Sequence, residues 1–215
     1  MQFVLNEAAL TVGVAAVLWA LSVSSWVVIL YKSWWLWRVG QDMPIAQQAF
    51  WQAPNLAQAL QALALLDRHA LLQPVAGAVG PRQAQSPQGQ TGWQDDQQTR
   101  QRQVVQSLRR VGQQIHWGQA WLACVASTAP FVGLLGTVWG LLDAMAALTE
   151  ASQAHWDAWV PALSQPLHLT AVGLCVAVPA LLAHHLMAPR LVVLQQSIED
   201  FAADVMDHLH APART

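Results

Sequence analysis

Long apolar segments without a charged residue dominate the pattern of hydrophobic and polar positions along the chain. They cover residues 8–31, 111–142 and 158–189. An α-helix rises 1.5 Å per residue, so about 20 apolar residues cross the roughly 30 Å hydrocarbon core of a bilayer. The pattern therefore predicts three transmembrane helices, near 8–31, 119–145 and 160–187.

The composition favours membrane helices over the buried core helices of a soluble protein. Charged residues make up 10% of the chain and apolar residues 54%, whereas a soluble domain has about 25% charged residues. This balance excludes a disordered chain and argues against a soluble enzyme. The net charge of −2 shows no basic excess, so a nucleic-acid partner is not expected. Because the first apolar segment is preceded by Glu7 and by no Lys or Arg, we interpret it as a retained helix rather than a cleaved signal peptide.

The distribution of positive charge predicts the orientation of the helices. Eight of the ten Lys and Arg residues lie in the loop over 32–118, and the other two lie in the tail over 188–215. Lys and Arg concentrate on the cytoplasmic side of membranes, so the loop and the tail are expected to be cytoplasmic. The N-terminus, within 1–31, and the short connection between the second and third helices, within 119–187, are then periplasmic.

The cytoplasmic segments are predicted to be helical as well, which makes the whole chain all-α. Residues 44–53 and 55–72 carry apolar side chains at helical spacing. Residues 80–99 are rich in Gln, Gly and Pro and predict a mobile connector. A helix from about Asp95 is expected to run directly into the second membrane helix.

The tail after the third membrane helix predicts an amphipathic helix of about 20 residues. Its apolar side chains recur every three or four positions, at Leu191, Leu194, Ile198, Phe201 and Val205. Such an apolar face packs either within the subunit or against a neighbouring subunit, and the sequence leaves both possibilities open.

Small residues and one proline mark a packing surface on the last two membrane helices. They are Gly133, Gly136 and Gly140 on the second helix, and Gly173, Ala177 and Pro179 on the third. Small residues allow helix backbones to approach closely in a membrane. We therefore expect these two helices to pack against each other or around a common axis.

Two threonines, Thr137 and Thr170, lie near the middle of the second and third membrane helices. A single membrane threonine usually bonds its own helix backbone, whereas two at similar depth can line a narrow polar path. The sequence has no nucleophile elbow, phosphate-binding loop or zinc-protease motif. We therefore do not expect an enzyme, a metal site or a cofactor.

Three segments of the chain resemble one protein family. The string STAPFVGLLGTVWG, residues 127–140, is very close to the second-helix pattern of the MotA/TolQ/ExbB proton-channel family, in its ExbB and TolQ branch. Residues 25–35, SWVVILYKSWW, are similar to the end of that family's first helix. Residues 169–185 resemble the third-helix pattern T-A-x-G-L-x-x-A-x-P.

The resemblance implies a proton-channel subunit of the bacterial inner membrane. Such subunits form a homo-oligomer, a pentamer, around the transmembrane helices of a small ExbD- or TolR-like partner. Proton-motive force drives motion of the pentamer and the partner helices against each other, and a TonB- or TolA-like protein passes the work to the outer membrane. On this basis the chain energises TonB-dependent transport in the manner of ExbB. The alternatives are a TolQ-type subunit for envelope maintenance and cell division, and a non-conducting membrane scaffold.

The resemblance also implies roles for single residues in the proton path. Thr137 and Thr170 match the family threonines that face the partner's proton-carrying aspartate. The family usually has a glutamate five residues before the second of these, and Gln165 stands there instead. Glutamine cannot titrate, which motivates the scaffold alternative. Asp143 lies at a depth similar to that of Gln165. It either replaces the family's glutamate in the proton path or is an interfacial residue that reaches water.

The predicted orientation can be tested with a reporter enzyme that is active only in the periplasm. A fusion after Ser152 should be active, and a fusion after Gln88 should be silent, because the first site lies in the periplasmic connection and the second in the cytoplasmic loop. The opposite pattern of reporter activity would overturn the orientation derived from the positive charges.

Overall fold

All regular elements in residues 2–79, 93–150 and 156–210, which the computed structural model describes, are α-helices. In chain order they are α1 (Gln2–Gln52), α2 (Leu56–Leu66), α3 (Gln73–Val79), α4 (Trp93–His116), α5 (Gln119–Glu150) and α6 (Trp156–His210). Three helical stretches are long and apolar enough to cross a membrane: Leu10–Gln52, Gln101–Ala146 and Leu167–His208. The all-α class and the three membrane helices predicted from the apolar segments are confirmed.

Two of the membrane helices continue far beyond their apolar segments. Helix α1 has 51 residues and contains Pro44. Helix α6 has 55 residues, so the predicted amphipathic tail is the last part of α6 rather than a separate helix. Both continuations carry apolar side chains at helical spacing that are buried, among them Val39 and Met43 in α1 and Leu191 and Ile198 in α6, and such packing stabilises a helix.

The chain divides into two compact units. Unit 1 comprises Met1–Lys32 and Gly118–Ala188, and unit 2 comprises Ser33–Trp117 and Pro189–Thr215. Unit 1 therefore contains the apolar parts of α1, α5 and α6. Unit 2 contains the second part of α1, the helices α2, α3 and α4, and the end of α6.

Unit 2 has an apolar core to which all of its helices contribute. Its fully buried side chains include Leu63, Leu72, Val104, Ile115, Leu191 and Ile198. Of the five apolar residues predicted to line the tail helix, four are buried in this core and Leu194 packs against it. The apolar face of the tail is thus used for packing within the chain.

The helix predicted over 55–72 is wrong beyond Leu66, because an aspartate turns the chain there. The Asp67 carboxylate accepts hydrogen bonds from the backbone N–H groups of Leu71, Leu72 and Gln73, at 3.0, 2.7 and 2.9 Å. Gln73 is the first residue of α3 and Leu71 and Leu72 directly precede it, so the carboxylate holds the chain at the start of the helix and caps its first N–H group. Pro74 then occupies the first turn of α3, where a missing N–H costs little.

Helix α4 begins close to the predicted position, but its connection to α5 differs from the prediction. The helix predicted from about Asp95 is α4, which begins at Trp93. Residues 93–99 of the predicted connector are therefore helical, while residues 80–92 lie outside the described residues. Helix α4 does not run directly into α5, because Gly118 breaks the path with a φ of 84°. This left-handed conformation is common in glycine after a helix end and rare in other residues.

Helices α5 and α6 come into backbone contact in unit 1 at two glycines. A Cβ atom built on Gly133 would lie 2.7 Å from the carbonyl oxygen of Leu169 and 3.1 Å from the Cα of Thr170. A Cβ atom on Gly173 would lie 2.7 Å from the carbonyl oxygen of Ala129. Only glycine fits these two positions without a backbone shift.

The other residues of the predicted packing surface are less constrained. A Cβ atom on Gly136 would meet the side-chain ends of Leu169, at 2.8 Å, and of Val14 in α1, at 2.9 Å. Gly140 is half-buried on α5, and α6 carries a buried Ala177 and a half-buried Pro179. Gly136 therefore lies where side chains from both other membrane helices meet.

The two glycines of α5 can be distinguished by adding one methyl group to each. Gly133→Ala should lower the midpoint temperature of unfolding of the full-length protein in detergent, at a cost of about 1–3 kcal/mol, because the new Cβ meets backbone atoms that cannot turn aside. Gly136→Ala is the matched control and should cost less, because leucine and valine side chains can rotate. Equal losses would show that Gly133 is not the point of closest approach.

Candidate functional site

A pair of threonine hydroxyls connects α5 to α6 inside unit 1. The Oγ1 of Thr170 donates a hydrogen bond to the Oγ1 of Thr137 at 3.2 Å. Thr137 in turn donates to the backbone carbonyl of Leu134 at 2.7 Å. The two threonines that the sequence placed at similar depth are thus in direct contact, and Thr137 also makes the bond to its own helix backbone that is usual for a membrane threonine.

The glycine contacts of α5 and α6 explain why these hydroxyls meet. Thr137 lies one helical turn beyond Gly133 on α5, and Thr170 lies three residues before Gly173 on α6. Because residues three or four apart share a helix face, both threonines lie on the faces that the glycines bring together. The short distance between the backbones lets two short side chains reach each other.

The two hydroxyls differ in exposure and in bonding. Thr137 is buried, with 4% of its surface exposed, whereas Thr170 is half-buried. A hydroxyl has one donor and two acceptor sites. Thr137 donates to Leu134 and accepts from Thr170. Thr170 is therefore the member of the pair that is exposed enough to accept a hydrogen bond from another group.

Two other hydroxyls of α5, those of Thr128 and Ser127, are satisfied within the helix. Thr128 donates to the carbonyl oxygen of Cys124 at 2.7 Å, and Ser127 donates to the same oxygen at 3.0 Å. Such bonds to the preceding turn are the common arrangement for membrane Ser and Thr. A bond between hydroxyls on two helices distinguishes Thr137 and Thr170 from these neighbours.

The two remaining predicted path residues lie further along the same helices. Asp143 is half-buried on α5 and lies six residues beyond Thr137, about 9 Å along the helix axis. Gln165 belongs to α6, five residues before Thr170, but its side chain is outside the described part of the structure. No hydrogen bond between described residues joins Asp143 to either threonine.

Sequence reasoning missed three buried polar side chains of unit 1. Ser25, Lys32 and Gln119 are 1%, 2% and 7% exposed. Ser25 donates to the carbonyl of Ser22 at 2.9 Å. A signal for Gln119 was present, because it continues the three- and four-residue spacing of Leu122 and of later buried positions of α5.

Comparison with known proteins identifies the family. A model of the MotA/TolQ/ExbB proton channel family matches residues 82–200. The chain is similar to Biopolymer transport protein ExbB of Xanthomonas campestris pv. campestris (strain B100), with 30% identity over 201 residues that cover 91% of this chain and 79% of that protein.

More restricted similarities come from two other bacteria. Tol-Pal system protein TolQ of Haemophilus influenzae is 38% identical over 92 residues, which cover 43% of this chain and 40% of that protein. Biopolymer transport protein ExbB of Neisseria gonorrhoeae is 33% identical over 103 residues, which cover 48% of this chain and 47% of that protein. With a family model that matches more than half of its length and an ExbB relative that aligns over most of it, this multi-pass membrane protein belongs to the MotA/TolQ/ExbB proton channel family.

Proposed function

We propose that the protein is the ExbB-like subunit of an inner-membrane motor that uses proton-motive force to energise TonB-dependent transport across the outer membrane. The observation that carries the proposal is the hydrogen bond between Thr170 and Thr137 in the middle of the membrane helices. The similarity to Biopolymer transport protein ExbB over 91% of the chain supports this role.

The threonine pair can solvate a carboxyl group without titrating itself. We infer that the acid belongs to a small ExbD- or TolR-like partner whose helix passes the half-buried Thr170. A protonated acid can donate to Thr170, while an ionised one requires a donor and can receive it when the hydroxyl rotates. The buried Thr137 supports Thr170 from behind, because it supplies the acceptor that orients the Thr170 hydroxyl.

The motor requires an assembly and an orientation. The proposal places five copies of the chain around the partner helices, with a periplasmic N-terminus and a cytoplasmic C-terminus. Positive charge in the loop over 32–118 and in the tail supports this orientation. A TonB-like protein receives the work in the periplasm.

A TolQ-type role in envelope maintenance and cell division is the second candidate. It is favoured by the 38% identity to a TolQ protein over 92 residues. The two roles share the membrane mechanism and differ in the partner that receives the work. Deletion of the gene separates them: loss of TonB-dependent uptake with intact division supports the ExbB-like role, and chained cells with a leaky envelope support the TolQ-type role.

Removal of either path hydroxyl should stop the motor and leave it assembled. Thr170→Val and Thr137→Val keep the side-chain shape, so the complex with the partner should still form and purify. Proton flux into proteoliposomes should fall by about tenfold or more, because a buried carboxyl group would lose a hydrogen-bonding partner.

Two matched variants control for loss of shape or of threonine in general. Thr170→Ser retains the hydroxyl and should retain most of the flux. Thr128→Val removes a hydroxyl that bonds its own helix and should have no effect. Full flux in Thr170→Val would contradict the proposed function of the threonine pair.

Asp143 and Gln165 can be tested as alternative positions for one carboxylate. If Asp143 replaces the glutamate that the family has at Gln165, Asp143→Asn should abolish proton flux, and the double variant with Gln165→Glu should restore part of it. The difference between single and double variants measures the coupling of the two positions. Full flux in Asp143→Asn would leave the partner's acid as the titrating group, and zero flux in the wild-type complex would favour the scaffold alternative.

A further inference from the structure

Gln119, the first residue of α5, is buried with an unsatisfied side-chain amide. Only 7% of its surface is exposed, and among the described residues neither its Oε1 nor its Nε2 has a hydrogen-bond partner. A buried amide without partners costs free energy on both its donor and its acceptor side, so native proteins supply such groups with a ligand or with water.

A second unsatisfied polar atom lies at the same level on α6. The contacts between α5 and α6 pair Ala129 with Gly173, and the two helices run in opposite directions at that contact, since Gly133 meets Leu169 and Thr170 further along. Gln119 lies ten residues before Ala129 on α5, and Ala183 lies ten residues after Gly173 on α6. Because the helices are antiparallel, both counts lead toward the same end of unit 1, where His184 follows Ala183.

His184 carries the unsatisfied atom on α6. Its Nδ1 is buried and has no hydrogen-bond partner in the part of the chain that the structure describes. The residue continues the buried face of α6, since it follows Gly173, Ala177 and Ala180 at spacings of four, three and four. His185 is exposed on a neighbouring face, with its ring centroid 5.4 Å from that of His184.

Helix α1 closes the same end of unit 1. A Cβ atom on Gly118, beside Gln119, would lie 3.0 Å from the Cγ1 of Val28. Lys32 is one turn further along α1 and is 2% exposed. A buried lysine at this level makes a metal cation an unfavourable ligand for the amide and the imidazole.

We propose that Gln119 and His184 form a hydrated site that holds water at this end of unit 1. Water matches the donor set, because it can accept from the amide Nε2, donate to the amide Oε1 and bond the imidazole Nδ1 at the same time. If the orientation proposed above is correct, this end is cytoplasmic. In the proposed motor the site then lies between the threonine pair and the cytoplasm, and this role rests on the proposed function.

The presence of water is tested by thiol labelling, which does not depend on transport. In membranes that contain the full-length chain with Cys124→Ser and Cys175→Ser, Gln119→Cys should react with a charged, water-soluble methanethiosulfonate about tenfold faster than Leu122→Cys, because the reagent requires a thiolate and water around it. Leu122 is the matched control, since it lies one turn away on the same face and is 0% exposed. Equal reactivity of the two positions, whether fast or slow, would overturn the hydrated site.

The role of the site is tested by proton flux through proteoliposomes that contain the full chain and its partner. Gln119→Leu and His184→Leu should each reduce the flux by about tenfold, because each removes a hydrogen bond to buried water. His184→Gln should conduct, since an amide can still bond the water, and His185→Leu is the matched control and should also conduct.

The outcomes separate the failure of this inference from the failure of the proposed function. Normal flux in both leucine variants would overturn the role of the site while the threonine path stands. Loss of flux in His184→Gln as well as His184→Leu would show that an amide cannot replace the imidazole and would overturn a water-holding role. If the wild-type complex does not conduct, the proposed function fails, and the labelling experiment still decides whether the site holds water.

Discussion

Backbone contact between α5 and α6 is the constraint on which the rest of unit 1 depends. Lipid tails are as apolar as leucine, so membrane helices gain little by burying apolar side chains against each other, and close van der Waals contact has to hold them together. Gly133 and Gly173 provide that contact, with backbone atoms at distances that would exclude even a methyl group. The meeting of the Thr137 and Thr170 hydroxyls at 3.2 Å is a direct consequence.

Polar groups in such a setting are costly, and their positions indicate function. The Thr137 hydroxyl is stable in the interior because both of its hydrogen bonds are made within unit 1, one to the carbonyl of Leu134 in its own helix and one with Thr170. The side-chain amide of Gln119 is buried, and neither of its polar atoms has a hydrogen-bond partner among the described residues. The threonine pair makes its hydrogen bonds within the chain, and only Thr170 has surface left for another group. The buried amide of Gln119, in contrast, requires a hydrogen-bond partner from outside the chain.

In unit 2, local side-chain chemistry decides where helices end and packing decides how they associate. Asp67 follows the leucine-rich α2 and binds the backbone N–H groups of Leu71, Leu72 and Gln73 at the start of α3. Where the chain passes from unit 2 into unit 1, Gly118 separates α4 from α5 by taking up a left-handed conformation. The apolar face of the tail helix, which includes Ile198 and Phe201, is covered by the core of the same chain. That face is therefore not free to bind a neighbouring subunit.

The sequence by itself determined the helical class, the three membrane segments and the family, because these depend on the length and composition of apolar runs and on a distinctive string around Thr137. It also indicated Gly133 and Gly173 as packing residues. Only the tertiary structure decided which glycines touch backbone, that Thr170 bonds Thr137, and that Gln119 is buried without a partner. Those facts depend on how α5 and α6 align side by side, and a spacing along one helix contains no information about its register against another.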